Sequence, residues 1–266
     1  MILTDRFTFL SYPRTGTTFV RTVLRRVHGQ DREGLQAKVA AWLGRGRFRE
    51  LSLPIDRTAS SRRAGRKSQH GAVHQIPRRH RALPIVSVLR HPLDRAVSQY
   101  EHGFWRSNPP GDLDAIRSRF ASFPDINFGE YLELQRTFGR ADVLQGHQLD
   151  EKIGVDTLHF VRFFAPDPER ALSCLTSAAV DSGTALNDLA DIHFLRFERL
   201  VEDLVEYLLE VGYSAPLLDF VGQMPRINAA VSRRDRTWCE YFTPELEIAY
   251  RSRERLLFQV AEGLGG

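Results

Sequence analysis

Two short stretches of this chain combine residue types that can hold anions. The first is Ser11-Tyr12-Pro13-Arg14-Thr15-Gly16-Thr17-Thr18-Phe19. It carries a cation, several small hydroxyls and one glycine that permits a tight turn, which are the parts of a phosphate cradle. The second runs Arg90-His91-Pro92-Leu93-Asp94-Arg95-Ala96-Val97-Ser98-Gln99-Tyr100. Arg90 offers a planar fork of donors, and Ser98 offers a hydroxyl that can converge with it on a second anion. Taken alone, Arg90 also reads as a surface arginine and Ser98 as a helix serine facing solvent.

The elements that would position these stretches are legible around them. Phe7, Phe9 and Leu10 form a short apolar run that reads as a buried strand. Phe19, Val20, Val23, Leu24 and Val27 then recur at helical spacing, with Arg21, Arg25 and Arg26 on the other side. The first stretch therefore sits where a strand turns into a helix, so unpaired backbone N–H groups and the positive end of the helix dipole meet at one spot. An ordinary turn capped by Thr15 or Thr17 is the plainer alternative. Leu83 to Leu89 reads as a second buried strand, and Pro92 suits the first turn of the helix that follows.

Strands are expected near 7–11, 84–89, 157–163 and 192–197, with helices near 17–29, 93–105, 128–139 and 199–211. Leu200, Leu204, Leu208 and Val211 lie on one face of the last helix and read as core, with Gly212 as its stop. This alternation predicts an α/β protein, one domain over 1–266 with a mostly parallel central sheet flanked by helices. Both anion stretches then fall at the C-terminal ends of strands, where such sheets bind ligands.

The first stretch is not a Walker loop, which needs a second glycine and a lysine. A nucleotide or small-molecule kinase would also want a magnesium-binding acid at a strand end, and the chain offers no convincing one. A non-catalytic polyanion binder is the other alternative.

Together the two stretches resemble the sulfotransferases that use 3′-phosphoadenosine 5′-phosphosulfate (PAPS). Their 5′-phosphosulfate loop has the form Tyr-Pro-Lys/Arg-Ser/Thr-Gly-Thr-Thr-aromatic, matched here by Tyr12 through Phe19. Their 3′-phosphate motif has the form Arg-x-Pro-x-Asp-x-x-x-Ser-x-Tyr, matched by Arg90, Pro92, Asp94, Ser98 and Tyr100. Two weaker echoes follow. Phe197-Glu198-Arg199-Leu200 is similar to the family's Tyr-Glu-Asp-Leu, departing at Phe197 and Arg199, and Trp238 to Thr243 is similar to its closing Trp-x-x-x-Phe-Thr segment.

The resemblance implies a sulfuryl transfer from PAPS to a hydroxyl or amine acceptor, releasing 3′-phosphoadenosine 5′-phosphate (PAP) and using no metal. It gives the 5′-phosphate to Arg14, Thr15, Gly16, Thr17 and Thr18 and the 3′-phosphate to Arg90 and Ser98. Phe19 would stack on adenine, with a core aromatic as the equal alternative, and Phe197 would join the nucleotide site. The family's Arg-Lys-Gly-x-x-Gly loop is replaced by Ser232-Arg233-Arg234-Asp235-Arg236-Thr237, so either Arg233 or Arg234 would close on the 3′-phosphate. The base in cytosolic members is a His before Leu-Pro. Here His74-Gln75-Ile76-Pro77 stands in that place with one extra residue, making His74 the choice and His70 the reserve. Other branches use a glutamate, which makes Glu33 or Glu50 a rival.

Composition agrees with this reading. The 266 residues suffice for a large core, and a net charge of +4 with a pI near 9.3 suits a polyanionic ligand. Eight Lys or Arg and no acid lie between Arg57 and Arg81, either a solvated loop or an electropositive lip. That segment lacks aromatics for base stacking, so no nucleic-acid partner is expected. Cys174 and Cys239 have no ligand-type spacing and are expected to be buried free thiols. No apolar run resembles a signal peptide or membrane span, so a cytoplasmic enzyme is expected. Trp42, Phe104, Trp105, Phe120, Phe123 and Phe128 are candidates for either an acceptor pocket or the core. The acceptor and the oligomeric state are left open.

Overall fold

The apolar run before the first anion stretch forms a strand so short that burial, not length, must hold it. Phe7 and Phe9 are almost fully buried, and each stabilises by about 1.5–3 kcal/mol on leaving water. This is a computed structural model, and it describes residues 1–30, 48–54, 67–140, 143, 150–225 and 237–264. Glu33, Trp42, Arg233 and Arg234, and residues 57–66 of the basic segment, lie outside the described residues.

Strands β1 (Ile2–Thr4), β2 (Thr8–Leu10), β3 (Phe48–Glu50), β6 (Ile85–Leu89) and β7 (His193–Arg196) form one sheet in the order β3-β1-β2-β6-β7. β2, β6 and β7 run parallel, whereas β1 is antiparallel to both β2 and β3. A separate antiparallel pair joins β4 (Leu53–Pro54) to β5 (Lys67–Ser68). The sheet is thus mixed, with a parallel centre as expected and a β1 hairpin arm that the sequence reading did not include.

Alternation along the central strands divides the core in two. Phe9, Val86, Val88 and Leu195 pack on one face with α1 (Thr17–Val27) and α6 (Leu200–Glu210). Leu3, Leu10 and Leu89 pack on the other with α5 (Val155–Phe164) and α8 (Arg255–Gly263). The buried Ser87 hydroxyl donates to the Leu10 carbonyl at 2.9 Å, pinning the two strand ends that carry the anion stretches. Beside the sheet, α2 (Pro92–His102), α3 (Phe104–Ser107), α4 (Phe128–Leu134) and α7 (Pro244–Arg253) enclose a further, aromatic-rich cluster.

Two expectations are corrected. The segment 157–163 is not a strand but the body of α5. Leu158, Phe160, Val161 and Phe164 are all buried, and an apolar run of this length looks alike as a buried strand or a buried helix. Asp156 in the first turn of α5 and Gly154 at its N-cap were the distinguishing signals. The cysteines are not buried: Cys174 at the end of the helix Pro168–Cys174 and Cys239 in the turn Trp238–Glu240 are both exposed thiols. Leu200, Leu204 and Leu208 do join the core, and Gly212 follows α6 at φ 87°. Among the described residues no helix is long and apolar enough to cross a membrane.

Candidate active site

The first anion stretch leaves β2 and enters α1 through a turn with two residues of left-handed backbone. Arg14 has φ 67° and Gly16 φ 81°. Gly16 is the N-cap of α1 and provides no side-chain cap, while Thr15 is turned inward and donates to the Tyr12 carbonyl at 2.9 Å. The plainer threonine-capped turn is therefore not what forms. The first N–H groups of α1 have no intrahelical partner, and the dipole adds partial positive charge there. Only glycine fits at position 16, because a Cβ would come within 2.8 Å of the Phe197 ring.

Three successive carbonyls of this turn each receive a donor. Thr15 Oγ1 bonds Tyr12, Arg95 Nε bonds Pro13 at 3.3 Å, and an Arg90 Nη reaches Arg14 at 3.5 Å. Carbonyl dipoles held by donors on one side leave the opposite side of the loop to N–H groups, which favours an anion there.

The two motifs meet directly. The Arg14 guanidinium donates to Ser98 Oγ at 3.1 Å, and Ser98 itself is buried on the second turn of α2. Arg90 lies 4.2 Å over the Phe197 ring and 4.0 Å from the Asp94 carboxylate. Phe197 thus touches both stretches, walling Gly16 on one side and seating Arg90 on the other. Glu198, next to it, accepts from the His91 N–H at 3.2 Å, and Trp238 stacks on the His91 ring at 6.1 Å. Thr17 and Thr18 open α1, Thr17 buried and Thr18 half-buried. Phe19 is 7% exposed and belongs to the core cluster beneath α1, so its packing favours the core alternative over a role against adenine.

A cavity of about 570 Å³ opens beside Arg14. Its walls carry the rings of Tyr12, Phe104, Trp105, Tyr131 and Phe163 together with His70, His102 and His159. Phe120, Phe123 and Phe128 instead belong to the neighbouring core cluster. Of the two candidate bases, His70 lines the cavity and His74 does not; His74 lies in the short 3₁₀ turn Val73–Gln75. The one extra residue before Pro77 accompanies this displacement. His70 Nδ1 is 2.6 Å from the Ser11 carbonyl. A carbonyl only accepts, so Nδ1 carries the hydrogen and Nε2 is the ring's acceptor.

Burial holds the His70 pKa below the ordinary histidine value, opposed by the Ser11 contact and reinforced by the chain's amino terminus, Arg21 and Arg14. His102 is lowered too, by burial and then by Arg14. Glu50 is engaged elsewhere, accepting from Arg21 Nε and Arg25 Nε at 2.8 Å each. Its contacts with these arginines outweigh burial and hold its carboxyl low.

Sequence reasoning missed a buried polar group behind the turn. Arg95 Nη1 donates to Asp156 at 2.8 Å while its guanidinium lies 4.4 Å over the Tyr12 ring. Asp156 also accepts from Gln99 Nε2 at 3.1 Å and from the Tyr250 hydroxyl at 2.7 Å. Arg95 was visible inside the second motif, but its partner Asp156 lies 61 residues away with no local signal. Among the described residues no group of three or more His, Cys, Asp or Glu side chains is placed to hold a metal ion.

Residues 4–153 match the model of the sulfotransferase domain family, covering both anion stretches and much of the cavity wall. Among curated proteins none matches significantly. Among solved structures the chain is similar to mouse sulfotransferase SULT7A1 complexed with PAP, at 16% identity and a TM-score of 0.44, over 92% of this chain and 82% of that one. The family match, lying on the residues that build the anion turn, establishes that this chain belongs to the sulfotransferase domain family.

Proposed function

We propose that this protein transfers a sulfuryl group from PAPS to a hydroxyl acceptor held in the cavity beside Arg14. The observation that carries the reading is the junction of the two motifs, with Arg14 bonded to Ser98 and Arg90 reaching the Arg14 carbonyl. Two anion sites so joined suit one adenosine compound with a phosphate at each end.

In this reading the N–H groups of Gly16, Thr17 and Thr18 and the Arg14 guanidinium take the 5′-phosphosulfate. Arg90, steadied on Phe197, takes the 3′-phosphate with Ser98, and Arg233 or Arg234 is the further cation proposed for it. His70 Nε2 accepts the proton of the acceptor hydroxyl as that oxygen bonds to sulfur. The bond from sulfur to the 5′-phosphate oxygen breaks, and Arg14 meets the charge that develops there. Arginine stays protonated throughout, so it acts by charge and not as an acid. Positioning and charge stabilisation carry most of such a transfer.

The cavity wall favours an uncharged, largely apolar hydroxyl compound over an amine or a sugar. Several polar wall groups are engaged inside the protein: Trp105 Nε1 with the Tyr100 carbonyl, the Tyr131 hydroxyl with Gln99, and Gln99 with Asp156. A polyol would bury hydroxyls against groups that already have partners, which costs free energy for each one left unmade. Asp156, the carboxylate on this wall, already takes three donors, so a protonated amine would find little there to pair with.

Turnover with sulfur-labelled PAPS tests the reading, using a phenol, a primary amine and a monosaccharide as acceptors. Label should pass to the phenol in preference to the others, with PAP released in equal amount. No label on any acceptor and no PAP would refute it.

A further inference from the structure

We infer that Arg95 is a positioning residue for the donor turn, holding Tyr12 and Pro13 so that Arg14 keeps the backbone conformation that directs it across to α2. This inference rests on the donor reading above. Arg95 is 5% exposed, and its guanidinium makes three separate contacts. Nη1 is anchored on Asp156, Nε donates to the Pro13 carbonyl, and the flat face covers the Tyr12 ring. The first contact fixes the arginine to α5, and the other two act on the residues just before Arg14.

Arg14 needs such help. A non-glycine residue at φ 67° is strained, and such strain persists only where the surroundings over-determine it. The carbonyl before Arg14 is held by Arg95 and the carbonyl after its Cα by Arg90. Arg95 and Ser98 stand one turn apart on α2, so the same helix grips the backbone of the turn and receives the Arg14 side chain.

A role in gluing α2 to α5 does not account for this choice of residue. Buried ion pairs are weak stabilisers compared with well-packed apolar side chains of the same size. What an apolar pair cannot do is donate to Pro13 while stacking on Tyr12. Asp156 in turn is fixed by Gln99 and Tyr250, so the anchor does not swing. Against burial, contacts with Tyr12 and Asp156 keep Arg95 charged, its pKa raised above the ordinary arginine value.

Calorimetry with two nucleotides separates positioning from general support. PAP carries both phosphates, and adenosine 3′-monophosphate lacks the one that the turn would hold. The proteins are the parent, Arg95→Lys, which keeps a cation for Asp156, and the double variant Arg95→Met with Asp156→Asn, which leaves no charge unpaired if the lysine variant fails to fold. In the folded variant, affinity for PAP should fall about tenfold, as for loss of a charge-assisted hydrogen bond, with affinity for the 3′-monophosphate unchanged. Equal loss on both nucleotides, or no loss on either, overturns the inference while leaving the donor reading in place. A parent protein that does not favour PAP over the 3′-monophosphate overturns the donor reading, and this inference with it.

Discussion

His70 and His74 differ by four positions in sequence and by their relation to the cavity in the fold. The family pattern pointed to His74, because it stands before a proline in the expected place. The structure puts His70 on the cavity wall with its Nδ1 tied to Ser11, which leaves Nε2 to take a proton. His70→Ala should lower kcat by about 10²–10⁴-fold, whereas His74→Ala should leave it near the parent value. The opposite ranking in initial-rate assays would return the role to His74. The pH profile gives a second check. In the proposed role His70 would act as a base only when deprotonated, and its pKa lies below the ordinary 6.5, so kcat/KM should fall only on the acid side of that value. A rate still rising steeply above pH 7 would contradict this. Little in the sequence could have separated the two residues, since the turn geometry around Val73–Gln75 decides which ring meets the cavity.

At the scale of elements, α5 shows both what the sequence concealed and how the site is braced. Its buried aromatic run imitated a strand, and its N-terminus is closed by Glu254 from the junction of α7 and α8. Glu254 accepts from the N–H of Asp156 at 3.2 Å and from Thr157 N–H and hydroxyl at 2.6 and 2.7 Å. Gly154 is required beneath it, since a Cβ there would overlap the carboxyl. Burial, and then the charge of Asp156, push the Glu254 pKa up to about 8.

A folded-state pKa above the unfolded one means that the stabilising contribution is complete below about 4.5 and is lost as pH rises towards 8. Melting curves of the parent and Glu254→Gln from pH 5 to 8.5 check it. The difference in Tm between them should shift in favour of the variant as pH rises, and parallel curves would contradict the assignment. The helices α1 and α6, by contrast, were legible in the sequence because each has one apolar face on the sheet and a solvated opposite face. The β1 arm escaped notice because Ile2–Thr4 shows no alternating apolar pattern, whereas β2, equally short, is marked by Phe7 and Phe9 two residues apart.

For the whole molecule, the sheet's parallel centre brings two distant stretches to neighbouring strand ends, and Phe197 at the end of β7 joins them. That convergence was readable from motif order and strand–helix alternation alone. The cavity beside Arg14 was not, because its walls come from α2 to α5 and the segment around His70, whose meeting depends on tertiary packing. Of the aromatics considered for it, Phe104 and Trp105 line the cavity while Phe120, Phe123 and Phe128 fill the core beside it. Local spacing does not distinguish these two fates.

A crystal structure with PAP bound is the most direct test of the paired anion sites. The 5′-phosphate should lie on the N–H groups of Gly16, Thr17 and Thr18 with Arg14 beside it, and the 3′-phosphate on Arg90 and Ser98. Nucleotide bound elsewhere, or bound with only one phosphate in contact with these residues, would contradict the proposed donor site.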